Sequence, residues 1–232
     1  MIEGWRRAAL TILVALFVAN AVAHGQSDVA LSLYGAFSGA TNSNGTISPS
    51  NAAGGLIEVR HIRNPFIGYE GTYSFNRANQ SDSYTFRPPA CPVGLPSCGP
   101  TSAQAPISAN AHEITGNWVF SLKMASLRPF ALAGAGLLLD VPTSSSVTAY
   151  DITCGTVNPL CTSETSIVST HTQTKAVFVY GAGVDWGLLP HIGLRLQYRG
   201  NVYKMPVLLT SLTSSNAFTH AAEPMIGAYF RF

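Results

Sequence analysis

The 232-residue chain is 47% hydrophobic and 10% charged, with a net charge of +2. The apolar content excludes a disordered chain, and 13 Lys plus Arg against 11 Asp plus Glu leave no basic stripe, so no nucleic acid is expected as a partner. Past residue 23 no apolar run reaches the about 20 residues of a membrane helix, so the apolar residues are spread out rather than blocked.

In chain order, the first element reads as a secretory signal. Arg6 and Arg7 form a charged start, Ala8 to Val18 an apolar stretch, and Ala21-Val22-Ala23 a small-x-small cleavage site. A cleaved signal peptide over residues 1–23 is expected, with an uncleaved anchor as the alternative. Arg6-Arg7 lacks the rest of a twin-arginine motif, which points to Sec export, and no Cys follows closely enough for a lipoprotein.

The mature chain then repeats a period-two alternation, the pattern of strands with two unlike faces. From Asp28 to Gly39, Val29, Leu31, Leu33 and Phe37 oppose Ser32, Tyr34 and Ser38. In Leu56 to Ile62, Ile57 and Val59 oppose Glu58 and Arg60; in Phe66 to Asn76, Ile67, Tyr69, Tyr73 and Phe75 oppose Glu70, Thr72 and Ser74. Glu113 to Leu122 sets Ile114, Trp118 and Phe120 against Glu113, Thr115 and Asn117. Pro129 to Asp140 is apolar on both faces, with Phe130, Leu132 and Leu138 on one. Thr174 to Trp186 sets Phe178, Tyr180 and Trp186 against Lys175 and Asp185; Ile192 to Val202 sets Leu194, Leu196 and Tyr198 against Arg195, Gln197 and Arg199. Glu223 to Phe232 sets Ile226, Ala228, Phe230 and Phe232 against Glu223, Gly227 and Arg231. Each segment is near the about 9–11 residues that cross a bilayer at a tilt.

The connections alternate short and long. Tight turns are expected around Arg63 to Pro65, Lys123 to Leu127 and Gly187 to His191, and long Ser/Thr/Asn-rich loops near 40–54, 77–111, 141–173 and 203–221. That asymmetry is the mark of a transmembrane barrel. Lipid offers no partner to a strand's N–H and C=O groups, so such a sheet must close. The expected fold is all-β: an eight-stranded antiparallel up-and-down transmembrane β-barrel over 28–232, after the signal peptide. Its apolar face points to lipid and its polar face inward, with both termini on the short-turn, periplasmic side. A soluble sandwich is the competing reading.

Four cysteines form two alike brackets, Cys91 to Cys98 (CPVGLPSC) and Cys154 to Cys161 (CGTVNPLC). In an oxidising compartment local disulfides are preferred among the three possible connectivities. Zinc is the alternative, with no His or acid at ligand spacing to support it.

The terminal EPMIGAYFRF, with NPFIGYEGTYSFNRANQ (64–80), RPFALAGAG (128–136), YGAGVDWGL (180–188) and GLRLQYRG (193–200), resembles the outer-membrane protein β-barrel domain family, the OmpA-like and OmpX-like transmembrane barrels. The resemblance covers the chain after the signal. It implies an assembly signal at Ile226, Ala228, Phe230 and Phe232, and as partners outer-membrane lipid, periplasmic chaperones and the barrel assembly machinery. It implies a bacterial cell outer membrane location. The chain ends on the last strand, so the peptidoglycan-binding domain of longer relatives is not expected.

Strand parity sends Glu58, Arg60, Glu70, Glu113, Lys175, Asp185, Arg195, Arg199, Glu223 and Arg231 inward, five acids and five bases. The preferred reading is a salt-bridge network that plugs the lumen of a structural, monomeric barrel displaying disulfide-braced loops. The alternative is a small-solute or ion pore. A surface adhesin or a lipid-modifying enzyme comes third, with His112 beside Glu113, His171 beside Ser169 and His220 beside Glu223 as loop-side candidates. No enzymatic activity, metal or cofactor is expected, because these histidines match no nucleophile–base pattern.

Overall fold

The computed structural model describes residues 26–42, 45–63, 66–86, 98–155, 161–210 and 217–232. The expected signal peptide, the Asn64-Pro65 turn and Cys91 lie outside them. Among the described residues fourteen strands follow one another: β1 (Gln26–Ser38), β2 (Thr41–Asn42), β3 (Thr46–Pro49), β4 (Ala52–Ile62), β5 (Ile67–Arg77), β6 (Gln80–Phe86), β7 (Cys98–Ile107), β8 (Ala109–Ser121), β9 (Leu127–Pro142), β10 (Ser146–Gly155), β11 (Cys161–Ser169), β12 (Gln173–Gly187), β13 (Ile192–Lys204) and β14 (Phe218–Arg231).

Eight of them close into one antiparallel barrel in the order β1-β14-β13-β12-β9-β8-β5-β4. The seam runs from Asp28 opposite Arg231 to Ser38 opposite Ala221, and Phe232 N donates to Ser27 O at 3.0 Å beyond it. No wall strand therefore keeps an open edge, which removes the cost of unpaired backbone in an apolar medium. The short connections 122–126 and 188–191, and the strand-flanking residues Arg63 and Phe66, sit at the end that also holds Gln26 and Arg231. At one of them Met124 and Leu127 exchange both backbone hydrogen bonds, at 2.8 and 2.9 Å. Ala125 there takes φ 52°, the left-handed conformation that two-residue hairpins demand.

The long connections depart from the sequence reading. Instead of irregular loops they form a second, six-stranded sheet, β11-β10-β7-β6-β3-β2. The reason is a muted alternation of small residues. Along β7, Thr101, Ala103, Ala105 and Ile107 are buried while Ser102, Gln104 and Pro106 are exposed. An Ala stripe carries little hydrophobic contrast, so it reads as polar loop. The buried side packs on residues 205–209 between β13 and β14: Leu208 and Leu209 against Ala105, Ile107 and Ala149, and Met205 and Val207 against Ile47. Backbone bonds fix that segment further, with His171 N on Leu208 O at 2.9 Å and Thr210 N on Ser169 O at 3.0 Å. A disulfide between Cys154 and Cys161, S–S 2.03 Å, ties the tip of the β10–β11 hairpin.

The barrel's outer face is apolar. Leu33 is 70% exposed, Ile114 65% and Trp118 63%, and Tyr69, Tyr73, Phe75, Phe120, Tyr180, Trp186, Tyr198, Phe230 and Phe232 are exposed as well. A water-soluble domain does not expose a continuous belt of this kind. The inner face holds the ions, with one correction to simple parity. Phe130, Leu132 and Leu138 of β9 point inward and join Val119, Val177 and Val179 in a buried apolar cluster. The bore of an eight-stranded barrel must be filled by side chains, and β9 with its neighbours β8 and β12 supplies the carbon part of that filling.

Asp82 of β6 is fully buried in the second sheet, opposite Ile47 and Ala105 in register. Burial pushes its carboxyl up to about 7, although the Gln80 amide donates to it at 2.9 Å. The folded value lies above the ordinary value near 3.8, so the native state holds the proton longer than the unfolded one. Its contribution to stability is complete below the ordinary value and lost as pH rises through about 7. Amide resonances of β6 and β7 are expected to titrate with a midpoint near 7, and to lose dispersion at lower urea at pH ~8 than at pH ~5. Asp82→Asn is expected to abolish both effects; their persistence in the variant contradicts the assignment.

Candidate functional site

The lumen is where the charged residues meet. β13 brings Arg195 and Arg199 inward, β4 Glu58 and Arg60, β5 Glu70, β12 Asp185 and β1 Asp28, because each lies on the inward parity of its strand. Arg195 is 0% exposed. Its Nε donates to Asp185 Oδ1 at 2.7 Å, Nη1 to Glu58 Oε2 at 3.2 Å and Nη2 to Asp28 Oδ1 at 2.9 Å. One guanidinium thus joins four strands of the wall, its own included. Arg60 complements it: Nε and Nη2 grip Glu70 Oε2 at 2.8 and 2.6 Å, and Nη1 reaches Asp185 Oδ2 at 3.3 Å. Asp185 therefore links the two arginines across the bore.

The apolar layer of β9 takes part in this. The Arg60 guanidinium lies 4.0 Å from the centroid of the Phe130 ring, a cation–π contact. Phe130 can lie there because β12 has glycine opposite it. A Cβ at Gly183 would stand 2.6 Å from Phe130 Cζ, so alanine would push the ring off the guanidinium.

The remaining sequence-selected residues fall into different places. Glu113 accepts from Arg199 Nη2 at 2.6 Å and Asn201 Nδ2 at 2.9 Å, nearer the long-loop end. Glu223 is buried opposite Arg199 in the β13–β14 register. Lys175 is half-exposed at the rim. Arg231 is half-buried at the other end, its guanidinium over the Tyr229 ring at 5.2 Å. Ile226, Ala228, Phe230 and Phe232 all face outward, the first three paired with β1 at the seam. Cys154 and Cys161 are bonded to each other, while Cys91 of the other bracket falls outside the described residues.

Asp28, Arg128 and Asp140 are buried and inward too, and the sequence reading missed them. Asp28 and Arg128 stand at strand ends, where alternation is too short to assign a face. Asp140 shares parity with Phe130 and Leu138, so it was hidden in a strand that reads as apolar on both sides.

The loop-side histidines His112 and His220 do not pair with their acids as the enzyme alternative requires. His112 faces outward while Glu113 faces inward, and His112 Nδ1 shares a hydrogen bond with Tyr73 Oη at 2.9 Å. His220 likewise faces away from Glu223 and bonds Tyr180 Oη at 2.8 Å. His171 meets Gln173 at 2.7 Å.

No family model matches this chain, and no curated protein matches it. Among solved structures it is similar to the attachment invasion locus protein Ail of Yersinia pestis, in complex with the heparin analogue sucrose octasulfate: 15% identity, 90% of this chain and 99% of that one, TM-score 0.46. It is similar to Neisserial surface protein A, with 14% identity, 89% and 97% covered and TM-score 0.46. A third is the outer membrane protein OprG of Pseudomonas aeruginosa, with 10% identity, 90% and 96% covered and TM-score 0.46.

Removing Arg195 would strand Asp28 and Glu58 in a buried layer and leave Asp185 to Arg60 alone. Arg195→Met is expected to cost on the order of 3–5 kcal/mol, read as a lowered urea midpoint for unfolding in lipid or detergent. A loss below about 1 kcal/mol would mean that water reaches these groups.

Proposed function

We propose that this protein is a sealed outer-membrane β-barrel whose work is done by the sheet it holds outside the cell. Three physical features support the reading. The apolar belt needs lipid around it. The short-turn end, with both ends of the wall, belongs to the periplasm in a barrel of even strand count. The opposite end carries a compact β-sheet, tied by a disulfide that suits an oxidising compartment. The barrel is then an anchor and a positioning device, inserted by the assembly machinery through the alternating apolar face of β14 after Sec export. It acts as a monomer without enzymatic activity, and the second sheet is a rigid contact surface for attachment rather than a set of floppy loops.

The observation that carries this reading over a pore is Arg195. A guanidinium bonded to Asp28, Glu58 and Asp185, with no exposed side-chain surface, fills the bore of a barrel only just wide enough for side chains. An ion crossing that layer would have to break several charge-assisted bonds in low dielectric.

Planar-bilayer recordings test the proposal. The wild-type protein is expected to give no stable conductance steps at moderate voltage and neutral pH, whereas a folded Arg60→Ala/Arg195→Ala double variant is expected to leak. Stable wild-type steps would replace the anchor reading with the pore.

A further inference from the structure

Above the Arg195 layer the lumen is not filled. A cavity of about 60 Å³ lies between the upper barrel wall and the segment that caps it, roofed by Pro49, Gln80 and Pro206. At ≳10–15 Å³ for each water position, that is room for about four water-sized groups. Three carboxylates line it: Glu113, Asp140 and Glu223. Glu113 is occupied by Arg199 and Asn201. Of the other two, Glu223 takes a hydrogen bond from Asn201 and faces Arg199 in the β13–β14 register, but each keeps one oxygen without a donor. Asp140 is 2% exposed and Glu223 4%, yet Asp140 Oδ2 and Glu223 Oε2 meet no protein donor. In the same wall Asn76 Oδ1 and Asn201 Oδ1 also meet none.

The buried unpartnered side-chain atoms of this wall, among the described residues, are thus acceptors. Arg199, whose Nε and Nη1 lack acceptors, bonds Glu113 and faces Glu223 in register from just outside the cavity lining. Lys175, whose charge acts on Asp140, stands half in solvent at the rim. The rest of the wall mixes carbon and aromatic ring, such as Ala36, Leu138, Tyr34 and Tyr203, with the neutral polar side chains of Ser38, Ser74 and Gln80. Buried acceptors without donors are strongly disfavoured, and the chamber asks for a guest that is all donor, positive and partly apolar.

We propose that this chamber binds a small primary alkylammonium ion. Such a group brings three N–H donors and no acceptor, for Asp140 Oδ2, Glu223 Oε2 and an asparagine carbonyl. Its alkyl part rests against Leu138 and Ala36, and its charge is favoured by the tyrosine rings. A bare metal ion suits the site less, because no three described His, Cys, Asp or Glu side chains converge as a metal cage. The inference does not depend on what the outer sheet contacts.

The test uses the full folded protein in lipid nanodiscs, titrated with ethylammonium chloride at constant ionic strength. The side-chain amide resonances of Asn76 and Asn201 report binding. They are expected to shift saturably, with affinity reduced at least tenfold in Asp140→Asn and in Glu223→Gln, and unchanged in Asp151→Asn of the outer sheet. Tetramethylammonium, which has no N–H, is expected to leave them unmoved. Should one lumen variant fail to fold, the other decides. The proposal is overturned if no saturable shift occurs, which would mean that the two carboxyls are simply protonated. It is equally overturned if both substitutions leave the affinity unchanged, or if calcium chloride saturates the same resonances while ethylammonium does not.

Discussion

The structure depends on the bonds of one guanidinium. Arg195, on β13, holds Asp28 of β1, Glu58 of β4 and Asp185 of β12 in a layer with no exposed side-chain surface. Taking such charges out of water costs several kcal/mol per ion, and only short, multiple, well-aimed contacts offset it. Closure of the barrel supplies that geometry, since strands that are distant in sequence are brought to face one another. The same closure leaves the outer wall with a largely apolar face to present. Inside and outside are therefore two consequences of one constraint: backbone in lipid must pair completely, and the cylinder that results must be filled.

Filling is not uniform along the axis. Near the short-turn end Arg60 and Arg195 meet four acids, with Phe130 beneath a guanidinium and Gly183 leaving room for the ring. Toward the long-loop end the bore is less complete, and Asp140 Oδ2 and Glu223 Oε2 meet no donor. The barrel is then a seal at one level and a chamber at another, and the cap built from residues 205–209 separates that chamber from the outer sheet. An anchor and a guest site are compatible because they occupy different levels of the same cylinder.

Much of the barrel was legible in the sequence because its signal is redundant. Alternation in Ile192 to Val202 or Glu113 to Leu122 sets large apolar against charged side chains, and a contrast that strong survives any local noise. β9 resisted the same reasoning: Phe130, Leu132 and Leu138 are as apolar as the lipid-facing residues beside them, so periodicity cannot tell which set looks in. The second sheet was missed for the opposite reason. Its buried stripe is largely alanine and threonine, and its strands pair with segments far away in sequence, such as β6 with β3. Strand ends were the third blind spot, where Asp28 and Arg128 lacked enough neighbours to fix a face. Pairing partners across the bore, such as Arg195 with Asp28, depend on barrel stagger, which no single strand encodes.

The central claim is the inversion of the wall, with ions inside and carbon outside. The most direct test is the fluorescence of Trp118 and Trp186 in liposomes of brominated phospholipid. Both indoles stand on the outer face, 63% and 50% exposed. Bromine on the acyl chains is expected to quench them strongly, while acrylamide in the water leaves them nearly untouched. Strong acrylamide quenching with no effect of brominated lipid would contradict the account.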